Sequence, residues 1–498
     1  MSELALASEA ETAQLGEDLA LAVAKGDLVF LSGDLGAGKS TLARAFIRSI
    51  ADDERLDVPS PTFTLVQSYP ELRLPVSHVD LYRISSPEEI DELGLEEALD
   101  DGIVIVEWPE QGAGELPAPS LSVTLHHEGN GRVARLSGAG ELLARLERSL
   151  QIRAFLDRSG YRGARRRFLL GDASVRTYET VDAGRGEPLI LMNAPEQRNG
   201  PLTRDGRSYR RIAHLSDRVS AFVAVDRLLR ERGFRAPEIH AQDLDAGILL
   251  IEHLGDGLVT DEAGKPVPDR YAEAARLLAR MHEVHWPDRV EVAPGVMHTI
   301  HGFDREAMLV EADLLCEWYV PWVTGKPMEP ALQASYAAAW GSVFDSLQSA
   351  ETSILLRDYH SPNLIWRQDA QGNDRLGLID FQDAMIGPAA YDVASLALDA
   401  RVTISRELEA ALVGAYCAAR SQPFDRDAFL QAYAIMAAQR TSKILGIFVR
   451  LDQRDGKPQY LKHLPRIRDY LARALEHPAL EPLDRWFREA GVSIGKDS

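Results

Sequence analysis

The run Gly33-Asp34-Leu35-Gly36-Ala37-Gly38-Lys39-Ser40-Thr41 constrains this chain more than any other segment. It fits G-x-x-x-x-G-K-[ST], it follows the apolar stretch Asp27 to Ser32, and Ser40 to Ile50 reads as the helix behind it. Glycines in such a turn let backbone N–H groups curl around phosphates at the positive end of the helix. Lys39 is then placed to neutralise β- and γ-phosphates, and the Ser40 hydroxyl to ligate Mg²⁺. Two further short apolar strands, Ser77 to Leu81 and Ile103 to Glu107, continue a βαβ rhythm that implies a parallel sheet flanked by helices. Asp80 ends one of these strands, where a second magnesium-side carboxylate is expected; an ordinary strand-end Asp is the alternative.

The chain has 498 residues, too many for one hydrophobic core. Its formal charge of −21 is unevenly spread, because residues 1–150 hold 27 Asp and Glu against 11 Lys and Arg. So acidic a segment repels a phosphate backbone, which makes any role with nucleic acid indirect. No apolar run approaches the ~18 residues that span a bilayer. The start Met1-Ser2-Glu3-Leu4-Ala5 is acidic where an export signal would be basic. Cys316 and Cys417 stand far apart with no Cys/His cluster, which suits the cytoplasm.

Around residues 141–168 the character shifts to a charged helical segment followed by a basic run, which sets a boundary near Leu150. The run Arg162, Arg165, Arg166, Arg167 reads as a solvated face between domains, with RNA contact as the alternative. The expected organisation is an α/β P-loop NTPase domain over 1–150 and an α+β bilobal kinase-like domain over 151–498. The latter divides into a sheet-rich lobe over about 151–255 and a helical lobe over about 256–498.

The second chemical constellation lies in that helical lobe. Arg357-Asp358-Tyr359-His360-Ser361-Pro362-Asn363 sets Asp and Asn five apart between apolar stretches, and Asp380 follows in Leu378-Ile379-Asp380-Phe381. Phosphoryl transfer to a hydroxyl needs a carboxylate to orient and accept its proton, plus oxygen ligands that hold Mg²⁺ on the phosphates. Asp358 suits the first role, and Asn363 with Asp380 suits the second.

The blocks GDLGAGKST, VPSPTFTLVQSY (58–69), HVDLYRI (78–84), ELGLEEAL (92–99) and IVIVEWPEQG (103–112) resemble the TsaE family of bacterial tRNA threonylcarbamoyladenosine biosynthesis ATPases. The resemblance covers nearly all of 1–150. It implies a switch loop at Ser60, Thr62 and Thr64 that senses the γ-phosphate, a magnesium role for Asp80, and Glu107 and Trp108 beside the nucleotide, with Glu107 catalytic. It also implies ATP turnover in service of a threonylcarbamoyl transferase complex of TsaD- and TsaB-like proteins, with tRNA contact indirect at most.

The Asp358 loop resembles the aminoglycoside phosphotransferase/choline kinase superfamily, which also carries a histidine where His360 stands. Its structural Asp corresponds to Asp392 in AAYDVASL. That superfamily often has Gly before the catalytic Asp, where this chain has Arg357. Within it, GDASVRTY (171–178), LILMNAP (189–195), LLIEHLGD (249–256), LLRDYHSPNL (355–364), LIDFQDAMIGPAAYDVASL (378–396) and residues 437–466 resemble the AmgK-type anomeric kinases of N-acetylmuramate and N-acetylglucosamine. The resemblance implies ATP and Mg²⁺ as cofactors and an N-acetyl amino sugar as acceptor. It also implies a nucleotide cover at Ser174 and Arg176, and an adenine hinge from Glu252 to Leu254. The strand LILM lacks the lysine that protein kinases use on the α/β-phosphates, and Arg176, Arg210 and Arg211 are the candidate substitutes. A sugar pocket at Asp313, Glu317, Trp318 and Arg440 is a further expectation, against a solvated helix face with a core Trp. Another alcohol acceptor (choline or an aminoglycoside) and a non-catalytic scaffold both remain open at this point.

Overall fold

The computed structural model describes residues 2–84, 88–112, 114–138, 140–169, 176–197, 202–204, 206–492 and 494. The chain divides into two compact units, Met1–Asn193 and Ala194–Ser498.

The first unit opens with β1 (Ser2–Leu6), α1 (Glu9–Ala22), β2 (Leu28–Gly33) and α2 (Lys39–Ala51). It continues through β3 (Val66–Tyr69), β4 (Val76–Asp80), α3 (Glu88–Asp91), α4 (Leu95–Asp101) and β5 (Ile103–Glu107), then β6 (Leu121–Glu128), β7 (Gly131–Ser137) and α5 (Glu141–Arg158). The first seven strands form one sheet in the order β1-β7-β6-β2-β5-β4-β3. Its centre is parallel: β2 pairs with β5 and β6, and β4 pairs with β5. All five residues of β5, Ile-Val-Ile-Val-Glu, are buried because apolar layers cover both sheet faces. One layer joins Leu15 and Leu19 of α1, Phe46 and Ile47 of α2, and Leu142 and Leu146 of α5 to the strands. The other joins Ile90 and Leu95 to Val79, Val104 and Val106. Parallel pairing in register sets Asp80 opposite Glu107, and Leu31 of β2 opposite Glu107 on the other side. The carboxyl ends of three adjacent strands therefore meet at the P-loop, where ligands bind in open α/β sheets.

The same unit ends with β8 (Arg165–Leu169), β9 (Thr177–Asp182) and β10 (Leu189–Asn193), paired antiparallel in that order. The basic run is thus solvated only in part. As a strand it alternates, and Arg166 points inward, 1% exposed, toward Glu179 (2.6 Å) and Asp18 (2.8 Å). Arg153 of α5 shares Asp18 at 2.8 Å, Arg165 pairs with Glu54, and Arg167 pairs with Asp52 at 2.9 Å. Arg166 can be buried because two carboxylates neutralise it, a condition that its sequence neighbours do not reveal.

The second unit carries a hairpin of Ile239–Asp243 against Ile248–Glu252 and is helical over most of its remainder, its longest helix being Arg426–Gln453. Two short antiparallel pairs interrupt the helices: Thr352–Leu355 with Met385–Pro388, and Leu364–Trp366 with Leu376–Leu378. They bracket the loops at Asp358 and Asp380, so the two halves of the second constellation are held by paired strands.

Candidate active sites

In the P-loop, Gly33, Gly36 and Gly38 all have positive φ, at 131°, 79° and 108°. A Cβ at Gly33 would stand 2.2 Å from the Leu125 carbonyl oxygen, so only glycine closes this turn against β6. Gly38 caps α2, and Lys39 folds back so that Nζ donates to the carbonyls of Gly33 (2.6 Å) and Asp34 (3.0 Å). The same ammonium lies 3.5 Å above the Trp108 ring. Burial pulls the Lys39 pKa down, against the raising influence of Glu107, Glu110 and Asp80.

The Ser40 hydroxyl donates to Glu107 Oε2 at 2.8 Å, and Glu107 Oε1 meets His78 Nε2 at 2.9 Å. Asp80 Oδ2 accepts from Ser60 (2.8 Å) and Thr62 (2.7 Å), whose hydroxyls are 2.9 Å apart. Thr64 is exposed in the same turn. The expected nucleotide residues Lys39, Ser40 and Trp108, the carboxylates Asp80 and Glu107, and two of the three switch residues therefore converge. Ser40 and Asp80 are hard oxygen donors, as Mg²⁺ requires. Leu35 and Phe63 are exposed beside them, at 76% and 81%. His78 was missed by sequence reading. It lies on the strand that carries Asp80, opposite Ile105 in the parallel register, and its ring reaches along that face of the sheet to Glu107.

In the second unit, Asn363 Nδ2 donates to the Asp358 carbonyl at 3.0 Å and approaches Asp380 Oδ2 at 3.4 Å. Gln382 Nε2 donates to Asp380 Oδ1 at 2.8 Å. His360 Nε2 stands 3.7 Å from Asp358 Oδ1, while its Nδ1 lies 2.6 Å from the Ser361 carbonyl. Burial would raise the Asp358 pKa, but the His360 contact, Lys443 and Arg440 outweigh it and hold the carboxyl well below the ordinary range. Asp358 is therefore ionised, as a proton acceptor must be. The donor set of Asn363 and Asp380 again fits Mg²⁺.

Asp392 braces this loop as expected: Oδ2 accepts the Leu356 N–H at 2.5 Å and Oδ1 accepts the Arg357 N–H at 3.0 Å. Its own burial pushes its pKa up to about 7 against those two hydrogen bonds. Arg357 has φ +68°, which gives a physical reason for glycine at this place in the resembling superfamily. Here the strain is offset by contacts: Arg357 Nη1 donates to the Ala213 carbonyl at 3.0 Å, and Nη2 pairs with the fully buried Glu311. Glu311 also holds Lys443 Nζ (2.8 Å) and Gln439 Nε2 (3.1 Å).

The sugar-pocket expectation does not assemble. Asp313 is fully buried while Glu317 is exposed, so the two carboxylates do not share one pocket, although the Glu317 N–H still donates to the Asp313 carbonyl at 2.9 Å. Arg440 is buried and donates to the Arg357 carbonyl at 3.1 Å, beside Asp358. Ser174 lies outside the described residues, and Arg176 is the first described residue before β9. At the hinge, Glu252 pairs with Arg235 and accepts the Glu238 N–H at 3.1 Å; Leu254 is buried.

These two sites and their folds define an ATP-using chain built from a P-loop domain and a phosphotransferase domain of protein-kinase type. A family model described as threonylcarbamoyl adenosine biosynthesis protein TsaE matches residues 6–135, and one for the phosphotransferase enzyme family matches 165–430. The chain belongs to both families, its first part to TsaE and the longer remainder to the phosphotransferases. An N-acetylmuramate/N-acetylglucosamine kinase of Caulobacter vibrioides is 36% identical over 68% of this chain and 96% of its own length. A tRNA threonylcarbamoyladenosine biosynthesis protein TsaE of Rickettsia felis is 43% identical over 24% of this chain and 71% of its own. Among solved structures, a choline/ethanolamine kinase family protein from Mesorhizobium loti matches with 15% identity and a TM-score of 0.42, covering 69% of this chain and 99% of that one.

Proposed function

We propose that the functional partition falls at 1–150 and 151–498. The first part cycles ATP for a tRNA-modifying threonylcarbamoyl transferase complex of TsaD- and TsaB-like proteins. The second phosphorylates the anomeric hydroxyl of N-acetylmuramate or N-acetylglucosamine. In the first part, Lys39 and the P-loop N–H groups bind the phosphates, and Ser40 and Asp80 hold Mg²⁺, which supplies charge neutralisation when bound. Ser60 and Thr62, hydrogen-bonded to Asp80, respond to the γ-phosphate, and Glu107 orients the attacking water. The acidic charge of residues 1–150 supports work through protein partners, with tRNA contacted indirectly at most.

In the second part, Asp358 accepts the proton of the anomeric hydroxyl while its oxygen attacks the γ-phosphorus. The bond from that phosphorus to the β-phosphate oxygen breaks, and ADP leaves. Asn363 and Asp380 hold Mg²⁺, which again neutralises phosphate charge. The observation that carries this reading is the 36% identity across 96% of the Caulobacter kinase, together with convergence of Asp358, Asn363 and Asp380. Among the described residues no helix is long and apolar enough to cross a membrane, which accords with a cytoplasmic site of action. The test is ADP formation by the full chain with amino sugars, choline and aminoglycosides. Turnover with an N-acetyl amino sugar is expected; turnover with choline or aminoglycosides alone would overturn the acceptor assignment.

A further inference from the structure

A cleft in the second unit is lined by Arg207, Arg210, Arg211, His214, His298 and His301, with Gln382 in its wall. Gln382 is the residue that donates to Asp380 Oδ1, so the cleft begins one side chain from the expected Mg²⁺ ligand. None of the hinge residues 252–254 lines it. Its walls are instead the turn at 207–217, residues 298–301 at the end of a second hairpin (Arg289–Ala293 against Val296–Thr299), and residues 382–384 after Asp380.

The cleft is built rather than casual. Arg210 Nη2 donates to the Ser216 carbonyl at 2.6 Å, and the Ser216 N–H donates to Asp383 Oδ1 at 2.6 Å, which ties the turn to the Asp380 segment. His214 Nε2 lies 3.2 Å from Asp304 Oδ2, and its ring stacks on His301 with centroids 4.6 Å apart. Asp304 in turn caps the helix Arg305–Ala312 through the Ala307 N–H at 2.8 Å.

Its charge balance is positive. Arg207 is neutralised by Glu306 at 2.9 Å. Among the described residues, neither Arg210 nor Arg211 has a carboxylate at ion-pair distance. Arg210 Nε is buried with no hydrogen-bond partner there. Burial draws the pKa values of His298 and His301 down, so these rings serve as neutral hydrogen-bond partners for hydroxyls, and the guanidinium groups supply the charge. Asp217 is the one carboxylate lining the cleft. Guanidinium forks beside neutral imidazoles and Thr299 suit an anion carried on a polyhydroxylated ring.

We propose that this cleft receives the carboxylate of an acidic amino-sugar acceptor, with Arg210 and Arg211 as its specificity-determining residues. The inference rests on the kinase reading above and adds to it the side from which the acceptor enters and the group it is held by. A neutral amino sugar would occupy the same place without engaging the two arginines.

The test compares KM values of the full chain, as wild type, Arg210→Gln and Arg211→Gln, for N-acetylmuramate, N-acetylglucosamine and ATP. We expect the ratio of the two sugars' KM values to shift at least tenfold toward the neutral sugar in one or both variants, with KM for ATP within twofold. Equal changes for both sugars, no change for either, or a rise confined to ATP would overturn the inference while leaving the kinase reading intact. The ATP outcome would make these arginines the substitute for the missing strand lysine. Failure of the wild type to phosphorylate either sugar would overturn the kinase reading itself, and this inference with it.

Discussion

Glu311 and Arg357 form an ion pair in which neither side chain is more than 1% exposed, and Arg357 immediately precedes Asp358, the proposed proton acceptor. Burial alone would raise the Glu311 pKa, and Arg357 and Lys443 hold it below its ordinary value. Replacing Glu311 by Gln leaves the buried Arg357 and the mostly covered Lys443 without their shared anion. Loss of one partner of a buried pair costs about 3–5 kcal/mol. The expected outcome for Glu311→Gln is a loss of that size in urea unfolding, accompanied by reduced sugar phosphorylation. A variant as stable as wild type would show that the pair does not brace the loop.

Gly33 makes a comparable demand of the first unit. Its φ of 131° and the Leu125 carbonyl 2.2 Å from a would-be Cβ leave no room for a methyl group. Gly33→Ala should lower thermal stability and weaken ATP binding, since the carbonyl that now receives Lys39 must move. Titration with a fluorescent ATP analogue checks this; unchanged affinity would contradict it.

Asp358→Asn removes the proton acceptor yet keeps the shape of the loop. General base catalysis contributes typically ~10²–10⁴-fold. The kcat for the sugar should fall by about that factor, with KM for ATP within twofold. A loss confined to KM would assign Asp358 to binding instead.

His282 gives the second unit an acid sensitivity. Burial, reinforced by the nearby charge of Arg420, lowers its pKa to about 3, and Nδ1 lies 2.9 Å from the Tyr416 hydroxyl. The unfolded chain takes up this proton near pH 6.5, so stability is full above that pH and is lost as pH falls toward 3. Between pH 6.5 and 5 the loss from this group is about 2 kcal/mol. Urea midpoints at pH 7.5 and 5 should differ less in His282→Gln than in wild type. Equal differences would remove His282 as the cause.

Both candidate centres were legible in the sequence because each is written in short segments. The P-loop occupies nine consecutive residues, and Asp358, Asn363 and Asp380 sit on two loops bracketed by apolar strands. Asp80 and Glu107 were legible as strand ends, and their adjacency follows from parallel register. What could not be read depends on partners distant in the chain. Arg166 looked solvated because Asp18 and Glu179 are far from it in sequence, and His78 gave no sign of Glu107. The Asp313/Glu317 pair failed because Asp313 is fully buried and Glu317 is exposed, a difference that helical spacing alone does not reveal. Arg440 was expected at the sugar pocket, but it is buried and donates to the Arg357 carbonyl.

The central claim is that one chain carries two separately catalytic ATP sites. Its most direct measurement is formation of sugar 1-phosphate, followed by phosphorus NMR, in the full chain carrying Lys39→Ala or Asp358→Asn. The account predicts wild-type rates of sugar phosphate for Lys39→Ala and a rate ~10²–10⁴-fold lower for Asp358→Asn. Loss of sugar phosphate in Lys39→Ala, or an unchanged rate in Asp358→Asn, would contradict it.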